Sequence, residues 1–139
     1  GLKISAVDEG MMNRADGVIA NLTPFRGIAA DVGTAFELGY MCAQGKLVAA
    51  YTNVSANHYA RTAGFYGGEV REGADGRKRG PDGMSLEDFD MIENLMLHGG
   101  IERRGGFIAI HDAAAADRYT DLTAFEACLS ALAKRAAAA

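Results

Sequence analysis

The sequence predicts an α/β fold, a parallel sheet covered by helices, formed as a single domain over residues 1–139. Two short apolar runs, Val18 to Leu22 and Leu47 to Thr52, lack the alternation of a half-exposed strand. Such runs are typical of parallel strands buried on both faces. Between them lies an amphipathic helical pattern that Gly45 closes. Strand, helix and strand in this order predict a βαβ unit with a right-handed crossover.

The remaining elements follow from the spacing of apolar residues along the chain. Residues 2–14 place Ile4, Val7, Met11 and Met12 on one stripe of a predicted helix. Five further segments are predicted: a short helix near His58 to Thr62, a long Gly-rich loop from Gly67 to Gly83, an apolar segment from Leu86 to Leu97 ended by Gly99-Gly100, a strand over 106–110, and a last helix with Phe125, Cys128, Leu129 and Leu132 on one face.

Composition excludes several classes of function. The net charge is −4, and the one basic cluster, residues 77–79, lies among acidic residues in the Gly-rich segment, so we expect no nucleic-acid partner. No apolar run approaches membrane-spanning length, so we expect no membrane partner. Cys42 and Cys128 fall inside helical patterns without a pairing motif, which indicates buried, reduced thiols in a cytoplasmic protein. The three histidines have no metal-ligand spacing, so no metal site is expected.

The stretch from Asp31 to Lys46 carries the strongest functional signal. Thr34 and Glu37 have the spacing of a capping box, which predicts a helix start. Residues 123–126 repeat the same tetrapeptide, Thr-Ala-Phe-Glu, at another predicted helix start, so the tetrapeptide alone indicates no chemistry. Glu37 differs because Asp31 precedes it by six residues and both follow a predicted strand. In open parallel sheets, ligands bind beyond the carboxyl ends of the strands.

Two further positions are ambiguous from spacing alone. Phe25 and Arg26 lie in the loop at the carboxyl end of the first predicted strand, where they could contact a ligand or pack on a neighbouring loop. Asp8 borders the apolar stripe of the first helix, and its spacing fits an ordinary surface aspartate. The motifs of dinucleotide binding, P-loop phosphoryl transfer, serine hydrolysis and zinc proteolysis are missing from the sequence. A carboxylate-rich sheet edge remains as the candidate site.

Three blocks, in this order and separation, resemble the nucleoside 2-deoxyribosyltransferase family: residues 15–27, residues 31–40 with Gly45-Lys46, and residues 94–97. The resemblance extends from about Leu2 to Ile110. It implies a three-layer, flavodoxin/Rossmann-like parallel sheet. Family members begin with a first strand and a loop that positions the nucleophile. This sequence has no such segment before Leu2, and we expect N-terminal residues to be missing from it.

The resemblance also implies a reaction and its residues. Family enzymes exchange the base of 2'-deoxyribonucleosides for a free nucleobase through a deoxyribosyl-enzyme ester, without a metal or organic cofactor. Glu37 corresponds to the nucleophile that attacks C1', and Asp31 to the aspartate that binds the base and helps to protonate it. Asp8 corresponds to a further base-binding aspartate. Asn94 and Met96 match residues that reach a neighbouring subunit's site, which implies a homo-oligomer.

Phe25, Arg26 and Gly33 belong to the matched blocks, and we predict that they bind substrate. Two alternatives to base exchange stay open at this point. One is a hydrolase of the same architecture that cleaves 2'-deoxynucleoside 5'-monophosphates with water as the acceptor. The other is a non-catalytic nucleotide-binding domain.

Overall fold

A central three-stranded parallel sheet organises the computed structural model, which describes residues 1–138. The strands are β1 (Gly17–Asn21), β2 (Leu47–Thr52) and β5 (Phe107–Ile110), with β2 in the middle. Two residue pairs define the register, since Ala20 pairs with Ala50 and Tyr51 pairs with Ala109. The two-residue strands β3 (Arg71–Glu72) and β4 (Lys78–Arg79) form a separate antiparallel hairpin inside the predicted long loop.

Residues 1–138 form five helices, of which α2, α4 and α5 contact the sheet. The helices are α1 (Leu2–Arg14), α2 (Val32–Ala43), α3 (His58–Phe65), α4 (Leu95–Glu102) and α5 (Thr123–Ala137). Alternate residues of β2 face opposite layers. Val48 and Ala50 pack with α2 and α4, whereas Ala49 packs with α5. The sheet is therefore the middle of three layers, which confirms the predicted fold class and explains why β2 reads as a continuous apolar run.

Each face of the sheet has its own core. On one face Leu38 and Met41 of α2 meet Ile101 of α4, and all three are almost fully buried. On the other face small residues let α5 approach the strands closely, and the thiol of Cys128 donates to the carbonyl oxygen of Ala50 at 3.0 Å. Cys42 and Cys128 are both buried and unpaired, as predicted, and burial raises the pKa of each thiol.

The helix boundaries confirm some predictions and correct others. Gly45 ends α2 in a left-handed conformation (φ +69°), which glycine adopts without steric cost. The predicted helix at residues 2–14 is present, but its apolar stripe is not buried, since Ile4 and Val7 are 67% and 60% exposed. Met12 alone of that stripe packs against the core formed with α2.

The predicted end of the apolar segment from Leu86 to Leu97 at Gly99-Gly100 is wrong. Only its last residues are helical, because α4 begins at Leu95 and then continues through Gly99-Gly100 to Glu102. Two contacts explain why α4 begins at Leu95. The Asn94 side chain caps the helix by accepting from the Met96 amide, and the buried Glu93 side chain binds the preceding residues to distant segments through Ala30 and Arg61.

The basic cluster forms ion pairs on the surface of the Gly-rich segment. Lys78 contacts Asp88, and Arg79 contacts Asp75, each at 2.6 Å. These pairs fit the predicted solvated loop. Among residues 1–138, no helix combines the length and the apolar character needed to cross a membrane.

Candidate active site

The loop between β1 and α2 forms the first wall of the candidate site. It continues the sheet briefly, since the Leu22 amide donates to the Tyr51 carbonyl at 2.7 Å. It then closes on itself, with the Phe25 amide donating to the Ala29 carbonyl at 3.0 Å. Arg26 adopts a left-handed conformation (φ +54°) at this turn. Its guanidinium lies 4.9 Å from the centre of the Phe25 ring, close enough for a cation–π contact.

Asp31 starts α2, and this corrects the predicted capping box. Its Oδ2 accepts from the amides of Gly33 at 2.9 Å and Thr34 at 3.3 Å. Aspartate is among the best N-cap residues because its carboxylate satisfies amides that lack an intrahelical partner. The Thr34 side chain is therefore not the cap. A Cβ at Gly33 would lie only 2.9 Å from Asp31 Oδ2, so glycine there allows the close approach.

The repeated tetrapeptide behaves in the same way at α5. Thr123 is the first residue of that helix, and its side chain makes no capping bond. Its amide donates instead to Oδ1 of Asp121 at 2.8 Å. Both tetrapeptides start a helix, as predicted, but in each case a preceding aspartate receives the free amide.

A cavity of about 300 Å³ lies beside the first turn of α2, at the carboxyl edge of β1. This volume is at the lower end of the range for small-molecule sites. Three segments line it: the end of β1 with its loop, the start of α2 and the loop after β5. The lining residues are Asn21, Thr23, Phe25, Asp31, Thr34 and Tyr119. The structure therefore brings two of the predicted site residues, Asp31 and Phe25, together at the predicted edge.

Glu37 lies one helical turn beyond Thr34 and is half-buried. The described residues that line the cavity do not include Glu37. Residues three apart share a helix face, and the axial rise between them is about 4.5 Å. Because Cβ atoms tilt toward the amino end of a helix, the Cα–Cβ bond of Glu37 leans toward the turn that lines the cavity. Glu126, its counterpart in the repeat, is exposed on α5.

The other predicted residues lie apart from this cavity. Asp8 is half-buried in the middle of α1. Asn94 caps α4, and its amide nitrogen donates to Glu87 Oε1 at 2.8 Å. Met96 follows it and is 73% exposed. Within residues 1–138 of one chain, these three side chains do not meet Asp31.

A buried carboxylate, Glu93, binds the loop that precedes Asp31, and the sequence prediction missed this residue. Its side chain is fully buried, and its Oε2 accepts from Arg61 Nη2 at 2.7 Å and from the Ala30 amide at 3.2 Å. His58 Nδ1 lies 3.1 Å from Oε1. Burial alone would raise the pKa of Glu93, but contacts with His58 and the Asn94 amide and the Arg61 charge hold that pKa below its usual value.

Arg61 extends this support to three backbone segments. Its guanidinium donates to the carbonyl oxygens of Ile28 at 2.7 Å, Ala56 at 2.7 Å and Ile92 at 2.8 Å. The loop before Asp31, the start of α3 and the segment before α4 are thus fixed to one another. The sequence does contain a signal for this buried ion pair, a glutamate next to apolar Met91-Ile92, which the prediction did not use.

Tyr119 is the second residue that the sequence prediction missed. Its hydroxyl donates to the Pro24 carbonyl at 2.8 Å, and its ring packs edge-on against Phe25, with centroids 6.3 Å apart. It lies in an Ala-rich connection without periodicity, so no local pattern could have singled it out.

Comparisons with known proteins agree with this architecture. A family model described as nucleoside 2-deoxyribosyltransferase matches residues 1–96. The chain is 35% identical over 118 residues to an uncharacterised protein of Schizosaccharomyces pombe, a match that covers 78% of this chain and 56% of that relative. It thus spans little more than half the length of the relative.

A solved structure, a 2-desoxiribosyltransferase from Leishmania mexicana, superposes with a TM-score of 0.63 at 30% sequence identity. The superposition covers 96% of this chain and 68% of the Leishmania chain. Both the sheet and its flanking helices therefore have a counterpart in a solved enzyme.

Proposed function

Because this chain belongs to the nucleoside 2-deoxyribosyltransferase family, we propose that it exchanges the base of 2'-deoxyribonucleosides through a covalent ester on Glu37. One observation carries the proposal. Asp31 lines a cavity at the carboxyl edge of a parallel sheet, and Glu37 lies on the same helix, one turn beyond Thr34 of that lining. Two carboxylates flanking a glycosidic bond are the groups that a retaining glycosyl transfer needs.

In the first step, a Glu37 carboxylate oxygen attacks C1' of the sugar. The bond from C1' to the base nitrogen breaks, and its electron pair leaves with the base. Asp31 delivers a proton to the departing base, so that a neutral nucleobase is released. The negative charge of Glu37 stabilises the oxocarbenium-like transition state before the ester bond forms.

In the second step, a ring nitrogen of the acceptor base attacks C1' of the ester. The bond from C1' to the Glu37 oxygen breaks, and the carboxylate is regenerated. The proton lost by the acceptor nitrogen returns to Asp31, which closes the cycle. Two successive inversions at C1' retain the β configuration of the starting nucleoside.

Other residues receive binding roles in this proposal. Phe25 and Arg26 contact the substrate from the loop after β1, and Gly33 keeps the Asp31 carboxylate close to the helix start. Asp8 keeps its proposed role as a further base-binding aspartate. Asn94 and Met96 lie away from the cavity of their own chain, so we assign them to a site shared with a second copy. The exposed side chain of Met96 favours such a contact.

Product analysis tests the proposal. Deoxyadenosine is incubated with the full-length protein and a different free base, and the expected product is the new β-deoxynucleoside. Release of free deoxyribose that does not depend on the acceptor base would instead identify a hydrolase, and a parallel reaction with a deoxynucleoside 5'-monophosphate would define its substrate. Binding without any product would identify a non-catalytic domain.

A further inference from the structure

We infer that Tyr119 is a specificity-determining residue that stacks on the nucleobase, an inference that rests on the proposed function. Tyr119 lines the same cavity as Asp31, yet it comes from the loop after β5. That loop lies outside residues 1–96, where the family model matches. Tyr119 therefore brings an aromatic side chain to the site from outside the matched residues.

The Tyr119 ring is held in place before any ligand binds. Its hydroxyl is anchored to the Pro24 carbonyl at 2.8 Å, while the residue as a whole remains 59% exposed. The rings of Tyr119 and Phe25 stand at 88° to each other and form a corner. Arg26 lies over one face of Phe25, which leaves Tyr119 as the more open aromatic surface. A fixed aromatic ring loses little conformational entropy when a ligand stacks on it.

A buried amide connects both walls of this corner. The Nδ2 of Asn53 donates to the carbonyl oxygens of Arg118 at 3.0 Å and Asp121 at 2.9 Å. The backbone amide of Asn53 donates to Thr23 Oγ1 at 3.0 Å. Asn53 is 1% exposed, so these bonds are shielded from water. The turn that carries Tyr119 is thereby fixed to the loop that carries Phe25.

The lining of the cavity matches a planar base with polar edges. An aromatic ring binds the flat face of a base by stacking, and a carboxylate accepts hydrogen bonds from its N–H groups. Both bonds that Asp31 accepts end on Oδ2, and within residues 1–138 its Oδ1 has no hydrogen-bond partner. Oδ1 is therefore the oxygen that can accept the N–H of a free base and return the proton to a departing base. Because a purine offers a larger face than a pyrimidine, Tyr119 should favour purines.

Kinetics of three variants test this inference. Tyr119→Ala should raise KM for a purine deoxynucleoside roughly 5- to 150-fold, the range expected for losing one base–aromatic stack. The rise should be smaller for a pyrimidine, and kcat should change less than KM. Tyr119→Phe keeps the ring and should restore most of the affinity. Phe65→Ala removes an exposed aromatic that packs on Tyr66, and it serves as the control with unchanged KM.

The outcomes separate this inference from the proposed function. If the wild-type protein exchanges bases and Tyr119→Ala has an unchanged KM, the role of Tyr119 is overturned and the reaction stands. If the wild-type protein shows no exchange, the proposed function fails, and calorimetric binding of free adenine to the same variants then tests Tyr119. Adenine affinity independent of Tyr119, or no adenine binding at all, would overturn the inference.

Discussion

Replacing Asp31 distinguishes helix capping from the proposed proton transfer. Asparagine caps helices about as well as aspartate, so Asp31→Asn should keep both amide contacts at the start of α2. It cannot deliver a proton to a leaving base, and general acid catalysis contributes about 10²- to 10⁴-fold. We therefore expect Asp31→Asn to lose at least roughly 100-fold in kcat while its stability remains near that of the wild type.

Asp31→Ala should lose the cap as well. The cap contributes about 1 kcal/mol, and the unfolding entropy of a domain of this size converts that into a fall in Tm of about 3 °C. Thermal unfolding measures the loss of the cap, and base exchange followed by chromatography measures the loss of proton transfer. Asn57→Ala is the matched control, because Asn57 caps α3 by accepting from the Ala60 amide at 2.8 Å. It should lose comparable stability and keep its exchange rate.

Two results would refute the reasoning about Asp31. Exchange at the wild-type rate by Asp31→Asn would mean that the carboxylate only caps α2. A Tm for Asp31→Ala equal to that of the wild type would mean that the two amide contacts contribute nothing measurable.

Three further predictions concern the rest of the chain. Glu37→Ala should abolish exchange with little change in Tm. Its control, Glu126→Ala in the repeated tetrapeptide, should keep full activity. Equal activity of the two variants would contradict the role of Glu37. Glu93→Gln should destabilise the protein by roughly 3–5 kcal/mol in urea titrations at pH 7, since Arg61 loses its buried partner. Folding lowers the pKa of Glu93, so its carboxylate contributes its full stabilisation above the unfolded-state pKa of about 4.3 and loses it as the pH falls through the folded-state pKa. Below a pH of about 4.3 the wild type should therefore lose stability more steeply than Glu93→Gln. Parallel pH profiles of the two proteins would argue against this. The thiol of Cys128 should resist a thiol reagent in the native state and react only in urea, and rapid native labelling would show that α5 opens readily.

The sheet was predictable because its strands are short apolar runs, and the central strand β2 is buried on both faces. The predicted range of β2 matches the observed one, and β1 starts and ends one residue earlier than predicted. The start of α4 was not predictable from periodicity. It depends on the Asn94 cap and on the contact between Glu93 and Arg61, which lie 32 residues apart in the chain. A periodic pattern records local spacing and contains no information on a partner at that distance.

The same distinction between local and distant contacts applies to the candidate site. Asp31 and Phe25 were predicted at one sheet edge because both lie in the short connection after a single strand. Tyr119 reaches the same cavity from 95 residues beyond Pro24, the residue whose carbonyl oxygen it contacts, and only the parallel pairing of β5 with β2 brings its loop there. The capping box was a wrong prediction for a local reason. Thr34 has suitable spacing, but Asp31 already occupies the N-cap position and accepts its amide.

Trapping the covalent intermediate tests the proposed mechanism most directly. The full-length protein is mixed with a 2'-deoxyribonucleoside in the absence of an acceptor base, quenched in acid, digested and analysed by mass spectrometry. The mechanism predicts a deoxyribosyl adduct on the peptide that contains Glu37, and this adduct should disappear when a free base is added before the quench. Base exchange without any adduct on Glu37, or with an adduct on another carboxylate, would contradict it.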